Sequence, residues 1–212
     1  MRDIPVFATE NGVASLILQE VPYRKEAYIS LQDSQNPQAL LKECVDFCVA
    51  VGAEKIYAKG HCLLETYPLH TAVWQMERLR EGLPGTDAVL IPASDGNIEQ
   101  WRERYHEKMK NVPNAATMTA ARAKDLVKKG TGYFVYFSGE LLGIGIAEAD
   151  TVETVIAVKP GSGKEVMLAL CGVLRSQNIR LEVASENIPA RKLYEKLGFV
   201  KTAELSRWYR VK

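Results

Sequence analysis

The chain has 212 residues, of which 47% are hydrophobic and 25% are charged, and this length suits one large or two small globular domains. No apolar run approaches the roughly 20 residues of a membrane-spanning helix, and the N-terminal stretch lacks the apolar core of a signal peptide. A net charge of +1 and only four cysteines argue against nucleic acid as the main partner and against a disulfide scaffold. We therefore expect a cytoplasmic protein without nucleic-acid or membrane partners.

The first third of the chain predicts a small α/β segment. Apolar periodicity indicates strands at 13–19 and 27–31, a helix at 39–51, a strand at 55–58 and a helix at 69–80. The last of these helices is predicted from apolar residues at helical spacing between Leu69 and Met76. Glycine and proline at 82–85 then interrupt the pattern. We place a domain boundary there, which divides the chain into segments 1–86 and 87–212.

The second segment predicts a longer series of elements. They are a strand at 88–92, a helix that starts at Asp95 or Asn97, a helix at 119–129, strands at 133–137, 141–147 and 154–158, a helix at 164–174, a strand at 179–183, a helix after Asn187 and a final strand from Phe199. Ser138-Gly139 is typical of a hairpin turn. The order predicts a mixed sheet with several helices.

The most specific pattern in the chain follows the strand at 179–183. It reads Asn187-x-x-Ala190-x-x-Leu193-Tyr194, closed by Leu197-Gly198-Phe199. An Asn cap, an apolar stripe and a C-terminal glycine together describe an amphipathic helix. This string resembles the last sequence motif of the GCN5-related N-acetyltransferases, the GNAT superfamily.

The element order over 87–212 is also similar to the GNAT fold, so we expect an α/β protein with a mixed sheet and an extra N-terminal α/β segment. That segment is either a degenerate half of a second GNAT domain or a generic β-α-β unit. The resemblance implies acetyl-CoA as co-substrate and a small-molecule or peptide amine as acceptor. A homodimer is a further hypothesis, and the spacing of Cys and His predicts no metal site.

A glycine-containing turn at 158–164 is the candidate phosphate site, because N–H groups at a helix start bind phosphates together with the helix dipole. The resemblance assigns the diphosphate of coenzyme A to Gly161, Ser162, Gly163 and Lys164, and the pantetheine arm to the strand backbone of Ile156, Ala157 and Val158, with Asn187 nearby. One alignment with the family puts Val158 where an Arg or Gln is usual. The other puts Glu165 and Met167 at positions of small residues, and we prefer the first because it keeps Met167 buried.

Acetyl transfer needs a neutral amine and a proton for the departing thiolate. The resemblance assigns Tyr194 as the acid. The resemblance to the histone-acetylating branch of the family suggests Glu153 as the base. We expect burial beside apolar strand residues to make its carboxylate more basic, and Glu148 and Asp150 are rivals. The predicted function is N-acetyl transfer by direct attack of a primary amine on the thioester. The alternative is a non-catalytic acyl-CoA-binding or interaction module.

Overall fold

The structure, a computed structural model, describes residues 5–212. Within this range it forms two compact units: unit 1 contains the residues up to Ala72 together with Leu205–Lys212, and unit 2 contains Val73–Glu204. These bounds differ from the predicted segments 1–86 and 87–212, and the domain organisation stays a prediction. The described residues include no helix that is both long and apolar enough to cross a membrane.

The elements of unit 1 are β1 (Val6–Thr9), β2 (Gly12–Ile17), α1 (Val21–Arg24), β3 (Glu26–Ser34), α2 (Pro37–Ala50), β4 (Lys55–Lys59), a 3-10 helix (Cys62–Thr66), the start of β5 (Leu69–Leu79) and the end of β11 (Val200–Arg210). Its strands form a sheet in the order β1-β2-β3-β4-β11, and helix α2 packs on this sheet. The parallel strands β3 and β4 pair continuously from Glu26–Lys55 to Ser30–Lys59.

The further elements of unit 2 are β6 (Val89–Pro92), α3 (Ile98–Met109), α4 (Ala120–Lys129), β7 (Gly132–Phe137), β8 (Glu140–Glu148), β9 (Thr151–Ala157), α5 (Gly163–Val173), β10 (Asn178–Ala184) and α6 (Ile188–Lys196). Its strands lie in the order β5-β10-β9-β8-β7-β6. Helices α5 and α6 share one apolar cluster with β10, and helices α3 and α4 share another with β7 and β8. The predicted mixed α/β architecture is therefore confirmed.

Local signals in the sequence define several of these boundaries. The Asn187 side chain accepts a hydrogen bond from the Ala190 N–H at 3.4 Å, which caps α6. Gly198 follows that helix with a φ of 83°, in the left-handed region that glycine tolerates. Ser138 and Gly139 have φ values of 49° and 81°, as a tight hairpin turn between β7 and β8 requires.

The predicted helix at 69–80 is wrong, because this stretch forms strand β5. Its residues pair antiparallel with β10 continuously from Val73–Ala184 to Leu79–Asn178. The apolar spacing fits a helix, but Thr71, Val73 and Trp74 are residue types that favour strands. Pairing with a distant strand therefore decides the conformation of this segment.

Candidate active site

Two parallel strands in the middle of unit 2 separate from each other. Within the described residues, β9 pairs with β10 only at Thr151 and Arg180, although β10 pairs along its length with β5 and β9 pairs along its length with β8. Each strand is therefore held by its outer neighbour. A gap opens between the two strands beyond the Thr151–Arg180 pair.

A β-bulge lies in β9 at the start of this gap. Ile146 of β8 is opposite Thr154, whereas the next residue, Ala147, is opposite Val152. Glu153 is thus the extra residue of β9, which has no partner on β8. A bulge of this kind bends its strand and redirects a side chain. Its position in the sequence is also the point where β9 leaves β10.

A cavity of about 470 Å³ occupies the gap. Three of the residues predicted from the sequence line it together: Tyr194 and Asn187 from α6 and the loop before it, and Glu153 from β9. Helices α3 and α4 and the segment between them form the opposite wall. The structure therefore brings the predicted acid and the predicted base into one cavity.

Tyr194 has the properties of a proton donor at neutral pH. The residue is only 7% exposed, and its ring packs 6.1 Å from that of Phe199. Burial raises the pKa of Tyr194 to about 12, with a smaller contribution from the nearby Cys171 thiol. Among residues 5–212, its hydroxyl has no hydrogen-bond partner, so the proton is held by the phenol and is not committed to another group.

Glu153 is exposed, and the burial that we expected for it is not found. Its carboxylate forms an ion pair with Arg122 of α4 at 3.4 Å. The rival bases are engaged elsewhere: Glu148 pairs with Lys129 at 3.6 Å, and Asp150 pairs with Arg180 at 3.0 Å. Neither rival lines the cavity, so Glu153 is the one of the three predicted bases that lies at the gap.

The backbone of β9 offers hydrogen-bonding groups to the gap at Val155 and Ala157. The Val158 N–H donates to the Leu142 carbonyl of β8 at 2.9 Å. Alternation along a strand then directs the N–H of Ile156 to β8 as well, whereas those of Val155 and Ala157 point towards β10. Of the predicted pantetheine-binding trio, only Ala157 thus presents its N–H to the gap.

The predicted phosphate turn leaves the start of α5 uncapped. Gly161 has a φ of 84°, and the Ser162 hydroxyl donates to the Leu142 carbonyl at 2.7 Å. Helix α5 therefore has no side-chain cap at its N-terminus, where N–H groups lack partners within the helix. A cavity of about 450 Å³ adjoins this turn, and Lys164 and Lys196 lie on its lining. The residues present fit an anionic diphosphate.

The residues at these cavities that were not predicted from the sequence include Asn114, Arg122, Glu182 and Lys196. Asn114 has a φ of 57°, and both polar atoms of its side chain are buried without partners among the described residues. Alternation in β10 could have identified Glu182, because Leu181 and Val183 face the core. Arg122 reaches the site through a tertiary contact that no local pattern indicates.

Comparison with known proteins agrees with this architecture. Residues 97–199 match the sequence profile described as the acetyltransferase (GNAT) family. This segment contains α3 to α6, the gap between β9 and β10, and the predicted motif. The chain therefore carries a GNAT-family acetyltransferase domain, and the resemblance inferred from the sequence is confirmed. A search of curated proteins found no match.

Solved structures share the fold at low sequence identity. A GCN5-related N-acetyltransferase from Sphaerobacter thermophilus has a TM-score of 0.54 and 14% identity over 93% of this chain and 75% of its own. A functionally unknown conserved protein from Staphylococcus epidermidis has a TM-score of 0.61 and 11% identity over 98% and 93%. A GNAT-family acetyltransferase from Colwellia psychrerythraea has a TM-score of 0.51 and 13% identity over 98% and 84%. These likenesses support the fold alone.

Proposed function

We propose that this protein transfers an acetyl group from acetyl-CoA to a primary amine. The main support for the proposal is the separation of β9 and β10 beyond Thr151 and Arg180, because it opens a cavity that is lined by both a buried phenol and a carboxylate. An extended pantetheine arm can enter this gap and pair with the free edge of β9 as an added strand does.

The acetyl-CoA substrate would contact the protein in two regions. Its diphosphate would lie at the open first turn of α5, next to Gly161 and Gly163, with Lys164 and Lys196 supplying positive charge. Its pantetheine arm would run along β9, where the Ala157 N–H is available. The thioester would then lie in the cavity that contains Tyr194.

The reaction is a direct displacement at the thioester carbonyl. The acceptor arrives as an ammonium ion and gives one proton to Glu153, which returns it to solvent. The nitrogen lone pair attacks the carbonyl carbon, the carbon–sulfur bond breaks, and Tyr194 donates its proton to the sulfur. The second proton lost by the nitrogen restores the phenol, and N-acetylamine, coenzyme A and one proton result.

A non-catalytic acyl-CoA-binding or interaction module is the alternative, and Val158 at the usual Arg or Gln position favours it. Thermal unfolding with acetyl-CoA comes first, since a ligand that binds only the folded state raises the melting temperature. Release of free thiol with a panel of primary amines then separates enzyme from binder. Acetyl-CoA binding without thiol release for any amine supports an acyl-CoA-binding module. No shift at millimolar acetyl-CoA contradicts acetyl transfer and favours an interaction module.

A further inference from the structure

Two carboxylates flank the start of the gap between β9 and β10. The strands pair at Thr151 and Arg180, and Glu153 and Glu182 each lie two residues further along their strands. Both residues line the cavity of about 470 Å³. The two acidic side chains therefore occur at the same level of the gap, one on each strand.

Both carboxylates lie on the side of the sheet that faces α3 and α4. Leu181 and Val183 pack in the apolar cluster with α5 and α6, so alternation along the strand directs Glu182 to the opposite face. Glu153 contacts Arg122 of α4 on that same side. The acceptor would approach from this side if the pantetheine arm lies in the gap.

The charges in this cavity do not balance. Arg122 is the single cationic residue among the described residues that line it, and its partner is Glu153. Glu182 is exposed and forms no ion pair with any residue in the range 5–212. One negative charge therefore remains without a counter-charge at the acceptor side.

The rest of that wall is mostly apolar. Met109 at the end of α3 and the four residues Val112, Pro113, Ala115 and Ala116 contribute to it. Such a wall buries a hydrocarbon body favourably, whereas a second charged group placed against these apolar residues would lose water without a partner there. Asn114 adds the only carboxamide on this segment.

We propose that the acceptor is an alkyl or arylalkyl primary amine without a carboxylate, which binds with its ammonium group next to Glu182. Its apolar body lies against the 112–116 segment. This inference rests on the proposed acetyl transfer and gives Glu182 the role of a specificity residue, distinct from that of Glu153. The uncompensated charge attracts a cationic amine and repels the carboxylate of the corresponding amino acid.

The test compares matched pairs that differ only in a carboxylate, 2-phenylethylamine with phenylalanine and isopentylamine with leucine. Thiol release gives kcat/KM, and calorimetry gives the affinity of each compound for the protein saturated with coenzyme A. We expect kcat/KM for the amines to exceed that for the amino acids by about tenfold or more. Glu182→Gln lowers kcat/KM for the amines by about fivefold, which corresponds to the free energy that one exposed ion pair contributes. Glu103→Gln, on the exposed side of α3 and away from the cavity, leaves it unchanged.

The outcomes separate this inference from the proposed function. Equal or better turnover of the amino acids overturns the inference while acetyl transfer stands, and it points to Arg122 as the partner of their carboxylate. Amine binding that weakens in Glu182→Gln without any thiol release supports the acceptor class and contradicts transfer. Absence of amine binding to the protein saturated with coenzyme A overturns the inference.

Discussion

Replacement of Tyr194 by Phe removes one oxygen atom from the candidate site and leaves the packing in place. The aromatic ring that lies 6.1 Å from Phe199 remains, and the lost hydroxyl has no hydrogen-bond partner among the described residues. No buried group is therefore left unsatisfied by the change. We expect the free energy of unfolding to change by less than about 0.5 kcal/mol, or about 2 °C in melting temperature.

The catalytic effect should be far larger. With a pKa raised to about 12, the phenol carries its proton at neutral pH and can donate it to a thiolate. Loss of a positioned general acid lowers rates by about 10²–10⁴-fold, which corresponds to about 3–5 kcal/mol of transition-state stabilisation. Since the hydroxyl acts on the departing sulfur, we expect this loss in kcat, with the affinity for acetyl-CoA within about twofold of the parent.

The assay measures kcat from thiol release at saturating amine, the affinity for acetyl-CoA by calorimetry, and the melting temperature. Tyr133→Phe is the matched control, because Tyr133 is a partly buried tyrosine of unit 2 that does not line the cavity. A Tyr194→Phe protein that keeps a third or more of the parental kcat refutes the assignment of Tyr194 as acid. A loss of rate that Tyr133→Phe shares, or that comes with a large drop in the melting temperature of Tyr194→Phe alone, would trace that loss to folding.

Three further predictions address the fold, the cofactor site and the pH profile. Gly145→Ala places a Cβ against the Leu170 side chain and 2.6 Å from the Thr154 carbonyl oxygen. Overpacking of this kind costs about 2 kcal/mol, so calorimetry should show a lower melting temperature. The control Gly172→Ala, whose Cβ meets nothing within 4 Å, should not lower the melting temperature. Lys164→Ala and Lys196→Ala should each raise KM for acetyl-CoA by about fivefold at unchanged kcat, and Lys192→Ala, outside that cavity, should leave KM unchanged. Because the Tyr194 proton is lost only near pH 12, kcat should show no decline between pH 8 and 10, and a descending limb centred below pH 10 would contradict the role of this phenol.

The parts of this structure that the sequence predicts are those decided by neighbouring residues. The cap at Asn187 and the left-handed glycine at Gly198 depend on contacts within one helix, and both were predicted. Strand β5 depends on pairing between Val73 and Ala184, which are more than 100 residues apart, so its apolar spacing was misleading. The ion pair of Arg122 with Glu153 is also a long-range contact, and it accounts for the failure to predict the environment of the base.

Unit 1 and unit 2 contain the same local order of strand, helix and parallel strand, yet they differ at the two points that matter for a ligand. In unit 1 the parallel strands pair over five consecutive positions, and the Asn36 side chain caps α2 by accepting from the Ala39 N–H at 3.2 Å. In unit 2 the parallel strands share one pair, and Ser162 turns its hydroxyl away from the start of α5. A bulge at Glu153 and an uncapped helix therefore separate a candidate acetyl-CoA site from a structural β-α-β unit of the same topology.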